Sequence, residues 1–156
     1  MSKSRYILIC CVVIFLALIY PVNRAKILYQ GNSCYLRDDE FSISWIHSVE
    51  KEEWIENYKA VSGNLNLKST FFKTFGAGTP SDGEVINAPQ GYVGYKINRN
   101  YPVLNWVVSQ NMQGKIIVDG DVWNINKEVP RFTEIQMSSV RVPIINLLFG
   151  GFCNDK

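Results

Sequence analysis

Beyond residue 33 no apolar stripe of helical period lasts longer than about two turns, while short β-branched and aromatic runs recur between Gly, Asn, Asp and Pro. That pattern constrains the fold more than anything else in the chain. It predicts strands over 33–37, 41–48, 54–61, 65–75, 91–98, 103–109, 114–118, 121–125 and 132–142. The segment GKIIVDGDVWNI carries Asp119-Gly120 between two alternating runs, and this residue pair suits the two left-handed positions of a tight hairpin turn. About eight short strands with turn signals between them predict an all-β fold, a small antiparallel sandwich or a partly open barrel. With 156 residues, 47% apolar and 13% aromatic, the chain can bury one core of ordinary size. No internal repeat or low-complexity linker divides it.

The N-terminal stretch MSKSRYILICCVVIFLALIYPVNRAK has a different character. Lys3 and Arg5 precede an unbroken apolar run from Tyr6 to Val22, and Arg24 and Lys26 follow it. Such a run stands at the short end of a bilayer-spanning helix and slightly above a signal-peptide core. It predicts one N-terminal membrane helix over residues 6–22, as an uncleaved signal anchor or as a signal peptide. Cleavage after Ala25 would leave Asn23 where a small residue is favoured, which weighs toward the anchor. The short basic tail places the N terminus inside and the rest outside. The expected organisation is 1–26 as signal anchor or signal peptide and 27–156 as the extracytoplasmic β domain of a single-pass cell-membrane protein.

Charge excludes one class of partner. The first 26 residues hold four of the sixteen basic residues and no acidic one, so the remainder carries twelve basic against fourteen acidic side chains. A phosphate backbone calls for a dense, one-signed basic surface, and nucleic acid is not an expected partner. Of the four cysteines, Cys10 and Cys11 lie in the apolar run as small hydrophobes, with Ile9 where lipidation wants a small residue. Cys34 and Cys153 bracket the exported part. A disulfide between them would be worth on the order of 4 to 5 kcal/mol in the loop-entropy model; two free thiols are the alternative.

The chain's single histidine lies in FSISWIHSVEKEEWIENY, residues 41–58. Strand alternation puts Phe41, Ile43, Trp45 and His47 on one face, and groups Trp54, Glu56, Tyr58 and Ala60 in the next strand. A four-residue loop over 49–52 would pair Ser48 with Glu53, His47 with Trp54 and Trp45 with Glu56. His47 and Glu56 would then be diagonal neighbours within hydrogen-bond reach on the aromatic face, since buried polar groups come paired. A five-residue loop would send them to opposite faces.

Other chemistries fit less well. His47, Glu50 and Glu56 are ligand types for zinc or iron, yet their spacing matches no metal motif, and no metal or other cofactor is expected. Ser48 points away from His47 in a strand, and no G-x-S-x-G elbow occurs, so no catalytic residue and no enzyme is expected. The loop FGAGTPSDGE has G-x-G without the downstream Lys-Ser/Thr or helix of a phosphate cradle. It reads as a turn, or as a loop that shapes a ligand pocket. Trp54, Trp106, Trp123, Tyr92 and Tyr95 read first as core and second as a carbohydrate platform. VPIINLLFGGF, residues 142–152, reads as a last core strand or else as an exposed contact for a membrane partner.

FSISWIHSVEKEEWIENY together with FFKTFGAGTP resembles a bacterial domain-of-unknown-function family of small exported proteins. The resemblance rests on His47, Ser48, Val49, Glu50, Glu56, Tyr58, Gly76, Ala77 and Gly78 and covers residues 33–80, while Glu53 stands where that family commonly has proline. It implies an extracytoplasmic accessory role near TRAP transporters of the TAXI type, with a permease or solute-binding subunit as partner. The leading expectation is thus a non-catalytic, membrane-anchored accessory or assembly protein, in the membrane through residues 6–22. The alternative is a β module that binds an unidentified small ligand in a pocket lined by His47, Ser48, Glu50, Glu56, Gly76, Ala77 and Gly78.

Overall fold

The computed structural model describes residues 3–153. Helix α1 (Lys3–Ile19) leads into strands β1 (Pro21–Tyr29), β2 (Asn32–Tyr35), β3 (Glu40–Ile46), β4 (Glu53–Val61), β5 (Asn64–Phe72), β6 (Glu84–Ile86), β7 (Val93–Tyr101), β8 (Val103–Val107), β9 (Lys115–Val118) and β10 (Asp121–Asn124). The one-turn helix α2 (Ile125–Glu128), β11 (Glu134–Pro143) and the short α3 (Ile144–Leu148) complete the chain. A four-stranded sheet has the order β2-β1-β11-β8, and a seven-stranded sheet the order β10-β9-β3-β4-β5-β7-β6. All ladders between named strands are antiparallel. The fold is mostly β, as the alternating runs predict.

One core joins the two sheets. Ala25 and Ile27 of β1 and Ile135 and Met137 of β11 meet Phe41 and Ile43 of β3, Tyr58 and Ala60 of β4, and Leu65 and Leu67 of β5. Burying each large aliphatic or aromatic side chain contributes roughly 1.5 to 3 kcal/mol, which is why period-two alternation selects the faces. The Asp119-Gly120 hairpin forms with both residues left-handed, at φ 49° and 85°, the conformation that a two-residue turn between twisted strands demands. Cys34 and Cys153 are bonded, with their Cα atoms 5.0 Å apart. The bond is flanked by backbone hydrogen bonds from Tyr35 to the Gly151 carbonyl and from Cys153 to the Tyr35 carbonyl.

Three sequence expectations need correction. First, β1 occupies PVNRAKILY, where Arg24 and Lys26 read as the polar flank of a membrane run. Paired over eight residues with β11, from Pro21↔Pro143 to Leu28↔Gln136, this segment keeps Ala25 and Ile27 fully buried while the basic residues alternate away from them. Second, the apolar helix ends at Ile19 instead of reaching Val22, because Pro21 and Val22 already pair with β11. At 1.5 Å per residue α1 is about 26 Å long, short of a hydrocarbon core of about 30 Å. Among the described residues no helix is long and apolar enough to cross a membrane. Third, residues 142–152 are not a final strand. β11 stops at Pro143, α3 buries only Leu147, and Leu148 and Phe149 are exposed.

Candidate functional site

The β3–β4 hairpin positions most of the candidate residues. Its last strand pair is Ile46↔Glu53, and the His47 N–H donates to the Glu52 carbonyl at 2.8 Å. The turn therefore holds four residues, as expected, but they are 48–51 and not 49–52. The Lys51 N–H closes it onto the His47 carbonyl at 3.0 Å, with Lys51 itself left-handed at φ 59°. This earlier turn slides the pairing by two positions. Trp45 lies opposite Trp54, and Glu56 opposite Ile43. A two-residue slip preserves the faces, so the aromatic grouping survives, but Glu56 sits four residues along β4 from the partner of His47, about 13 Å away. The expected His47–Glu56 hydrogen bond is not made.

His47 turns instead to Glu50. Its Nδ1 lies against Glu50 Oε2, a buried oxygen that meets no other donor among the described residues, and the same nitrogen accepts the Val49 N–H at 3.4 Å. The imidazole also packs on the Trp54 indole, with ring centres 5.2 Å apart. The other Glu50 oxygen, Oε1, accepts the Ala77 N–H at 2.9 Å. Gly76 makes this approach possible, because a Cβ there would fall on the Glu50 carboxylate. Gly78 is left-handed at φ 83°, and Thr79 closes the loop by donating its N–H and hydroxyl to the Gly76 carbonyl. A second tie runs from Thr74 Oγ1 to Glu52 Oε2 at 3.0 Å. The Gly-Ala-Gly loop thus presents an anion-binding N–H, and a carboxylate of the same chain fills it. That hydrogen bond is the main cause that holds the Glu50 carboxyl below its ordinary range, with the His47 ring adding to it.

Glu56 occupies a different environment. Tyr58 Oη donates to its Oε2 at 2.6 Å, and burial pushes its carboxyl above the ordinary range. Burial first, and then Glu56 itself, raises the Tyr58 phenol as well. Glu56 lines a cleft of about 260 Å³ with Ile43 and Trp45 of the large sheet and Leu104 and Trp106 of the small one.

The seven candidate residues accordingly divide. His47, Glu50, Gly76 and Ala77 converge, with Gly78 shaping their loop. Ser48 is exposed, and its carbonyl accepts from Lys51 Nζ. Glu56 stands apart. The cavity beside His47 is small, about 150 Å³, and its other walls are Ile46, Ser48, Lys51 and residues 109–112, with neither Glu56 nor the Gly-Ala-Gly loop among them. The five aromatics do not form one platform, because Trp54 and Trp123 are buried. Among the described residues no group of three His, Cys, Asp or Glu side chains could hold a metal ion.

Two arrangements escaped the sequence reading. The Trp106 side of the Glu56 cleft belongs to the opposite sheet, which no local pattern reports. On the outer face of β3 and β4, Glu53 accepts from Tyr92 Oη at 2.6 Å and from Ser44 Oγ at 2.7 Å, with Lys115 Nζ 3.9 Å away. Those bonds, Tyr92 first, hold Glu53 low, and burial together with Glu53 pushes the Tyr92 phenol up to about 12. Tyr92 lies 39 positions from Glu53 along the chain, a separation that no local pattern reports.

Comparison with known proteins adds a family. Residues 41–125, just over half of the chain, match the model described as Domain of unknown function (DUF1850). The matched span takes in all of β4–β10, nearly all of β3 and the one-residue start of α2, and so contains His47, Glu50, the Gly-Ala-Gly loop and the whole Glu56 cleft. It runs well past residue 80, where the sequence resemblance stops. Neither a curated protein nor a solved structure matches the chain.

Proposed function

The chain belongs to the DUF1850 family of domains of unknown function, and from that premise we propose a non-catalytic accessory domain held at the outer face of a cell membrane by α1. One observation carries this reading. α1 is apolar around its whole circumference from Tyr6 onward, yet none of its residues is buried. Water is a poor solvent for such a helix, and lipid or a partner's apolar helix is the surface that would cover it. Its length falls about 4 Å short of an average bilayer core, a mismatch that local thinning absorbs at modest cost. Tyr6 and Tyr20 lie at its two ends, where aromatic side chains favour the interface, and Lys3 and Arg5 favour the inner side. The Cys34–Cys153 bond supports an oxidising compartment for the β domain.

The brace between the 48–51 turn and the Gly-Ala-Gly loop suits an assembly role better than a pocket, because its polar groups satisfy one another. A TAXI-type TRAP permease as the partner rests on the sequence resemblance alone. The experiment is carbonate extraction of membranes from cells that express the full chain, with a reporter active only outside the cytoplasm fused after Lys156. The chain stays in the membrane pellet with an active reporter, and removing residues 1–20 releases it. Recovery of the full chain in the supernatant, or an inactive reporter on a membrane-bound chain, overturns the proposal. Crosslinking in native membranes tests the permease separately; its absence from the adducts removes that partner.

A further inference from the structure

We propose that the cleft between the two sheets, walled by Trp45, Trp106 and Glu56, binds a small organic ammonium ion. The site is independent of the membrane reading, since it lies wholly within the β domain. Its parts are what recognition of such a cation requires. Trp45 and Trp106 are half-buried and meet edge to face, with ring centres 6.3 Å apart. Both indoles line the cleft, and the electron-rich face of an indole is the best aromatic surface for a cation. The Trp106 ring lies against the backbone at Gly114, where a Cβ would come within 2.8 Å of its Cη2, so it is fixed before any ligand arrives. Trp45 is held in turn by stacking on Trp54 at 5.9 Å.

Glu56 supplies the charge. Its Oε2 accepts from Tyr58, and among the described residues no lysine, arginine or histidine pairs with the carboxylate. A carboxyl placed in an apolar cleft without a cation is costly to ionise, and the missing counter-charge is what an ammonium ligand brings. Ile43 and Leu104 offer the remaining wall to methyl or methylene groups. The volume of about 260 Å³ admits a compact ligand only, an alkylamine or a quaternary ammonium compound.

Tryptophan fluorescence of the full chain in a maltoside detergent, which carries no ammonium group of its own, tests the site. The probes are choline and 3,3-dimethylbutan-1-ol, a neutral molecule of nearly the same shape. Choline changes the emission saturably, and the neutral isostere binds about tenfold more weakly. Glu56→Gln reduces choline to the level of the isostere with near-ultraviolet circular dichroism unchanged. No saturable response to choline, or equal binding of both probes by the natural chain, overturns the proposal. If the Gln variant does not fold, Trp106→Leu takes its place: loss of choline binding supports the site, and undiminished binding overturns it.

Discussion

Glu50 and Glu56 lie six residues apart on one hairpin and end in opposite electrostatic states. From within the 48–51 turn Glu50 reaches the Ala77 N–H of the Gly-Ala-Gly loop and the His47 imidazole, and both favour its ionised form. Glu56 points into the space between two sheets, where among the described residues its one donor is the Tyr58 hydroxyl and desolvation favours the neutral form. The residue type is the same, and so is the strand-forming context. What differs is the number of donors that the fold aims at each carboxyl. The first is a structural clasp whose bonding capacity is spent within the chain; the second keeps an oxygen uncommitted in an aromatic cleft.

Trp54→Ala should damage both environments at once. The indole is 6% exposed, stacks on Trp45, carries the His47 ring and donates its Nε1–H to Thr70 Oγ1 at 2.7 Å. Removing it should cost about 3 to 5 kcal/mol in chemical denaturation. A loss below about 1 kcal/mol would mean that the two carboxylate sites do not share this support.

Glu56→Gln should act on one side alone, and in the opposite sense. A glutamate whose folded pKa is raised binds its proton more tightly when folded, so it subtracts stability as pH rises from about 4.3 through the folded value. The glutamine keeps an acceptor for Tyr58 and has no charge to desolvate. It should stabilise the protein at pH 7 by about 1 kcal/mol, roughly 3 °C in Tm, and the gain should vanish near pH 4. A variant that melts lower at pH 7 than the natural chain would show that Glu56 has a favourable counter-charge after all.

The smallest stability effect should come from Gly76→Ala. The new methyl meets the far end of the Glu50 side chain, which swings away and gives up the Ala77 N–H, at a cost of less than about 1 kcal/mol. Glu50 contributes stability that is present above about pH 4.3 and lost as pH falls through its lowered folded value. In acid titrations followed by circular dichroism the alanine variant should therefore lose this acid limb while the Glu56-dependent change at higher pH persists. An unchanged acid limb would show that the clasp does not depend on Gly76.

Much of this was legible in the residues. Each of the nine predicted strands has its counterpart in the structure, because alternation is written between neighbours and needs no knowledge of the partner. The left-handed pair at Asp119-Gly120 and the common face of Trp45 and Trp54 follow from the same local rules. Tertiary structure decided the rest. Moving the hairpin turn by one residue preserves every face, so alternation could not choose between a Glu56 beside His47 and a Glu56 opposite Ile43; the closing bonds at His47, Lys51 and Glu52 made that choice. β1 hid behind its basic residues because its partner β11 lies more than a hundred positions away, and the cleft hid because Trp106 reaches Glu56 only after two sheets have met. Local patterns set which side chains share a face, whereas the contacts that give a carboxylate its chemistry come from chain segments that only packing brings together.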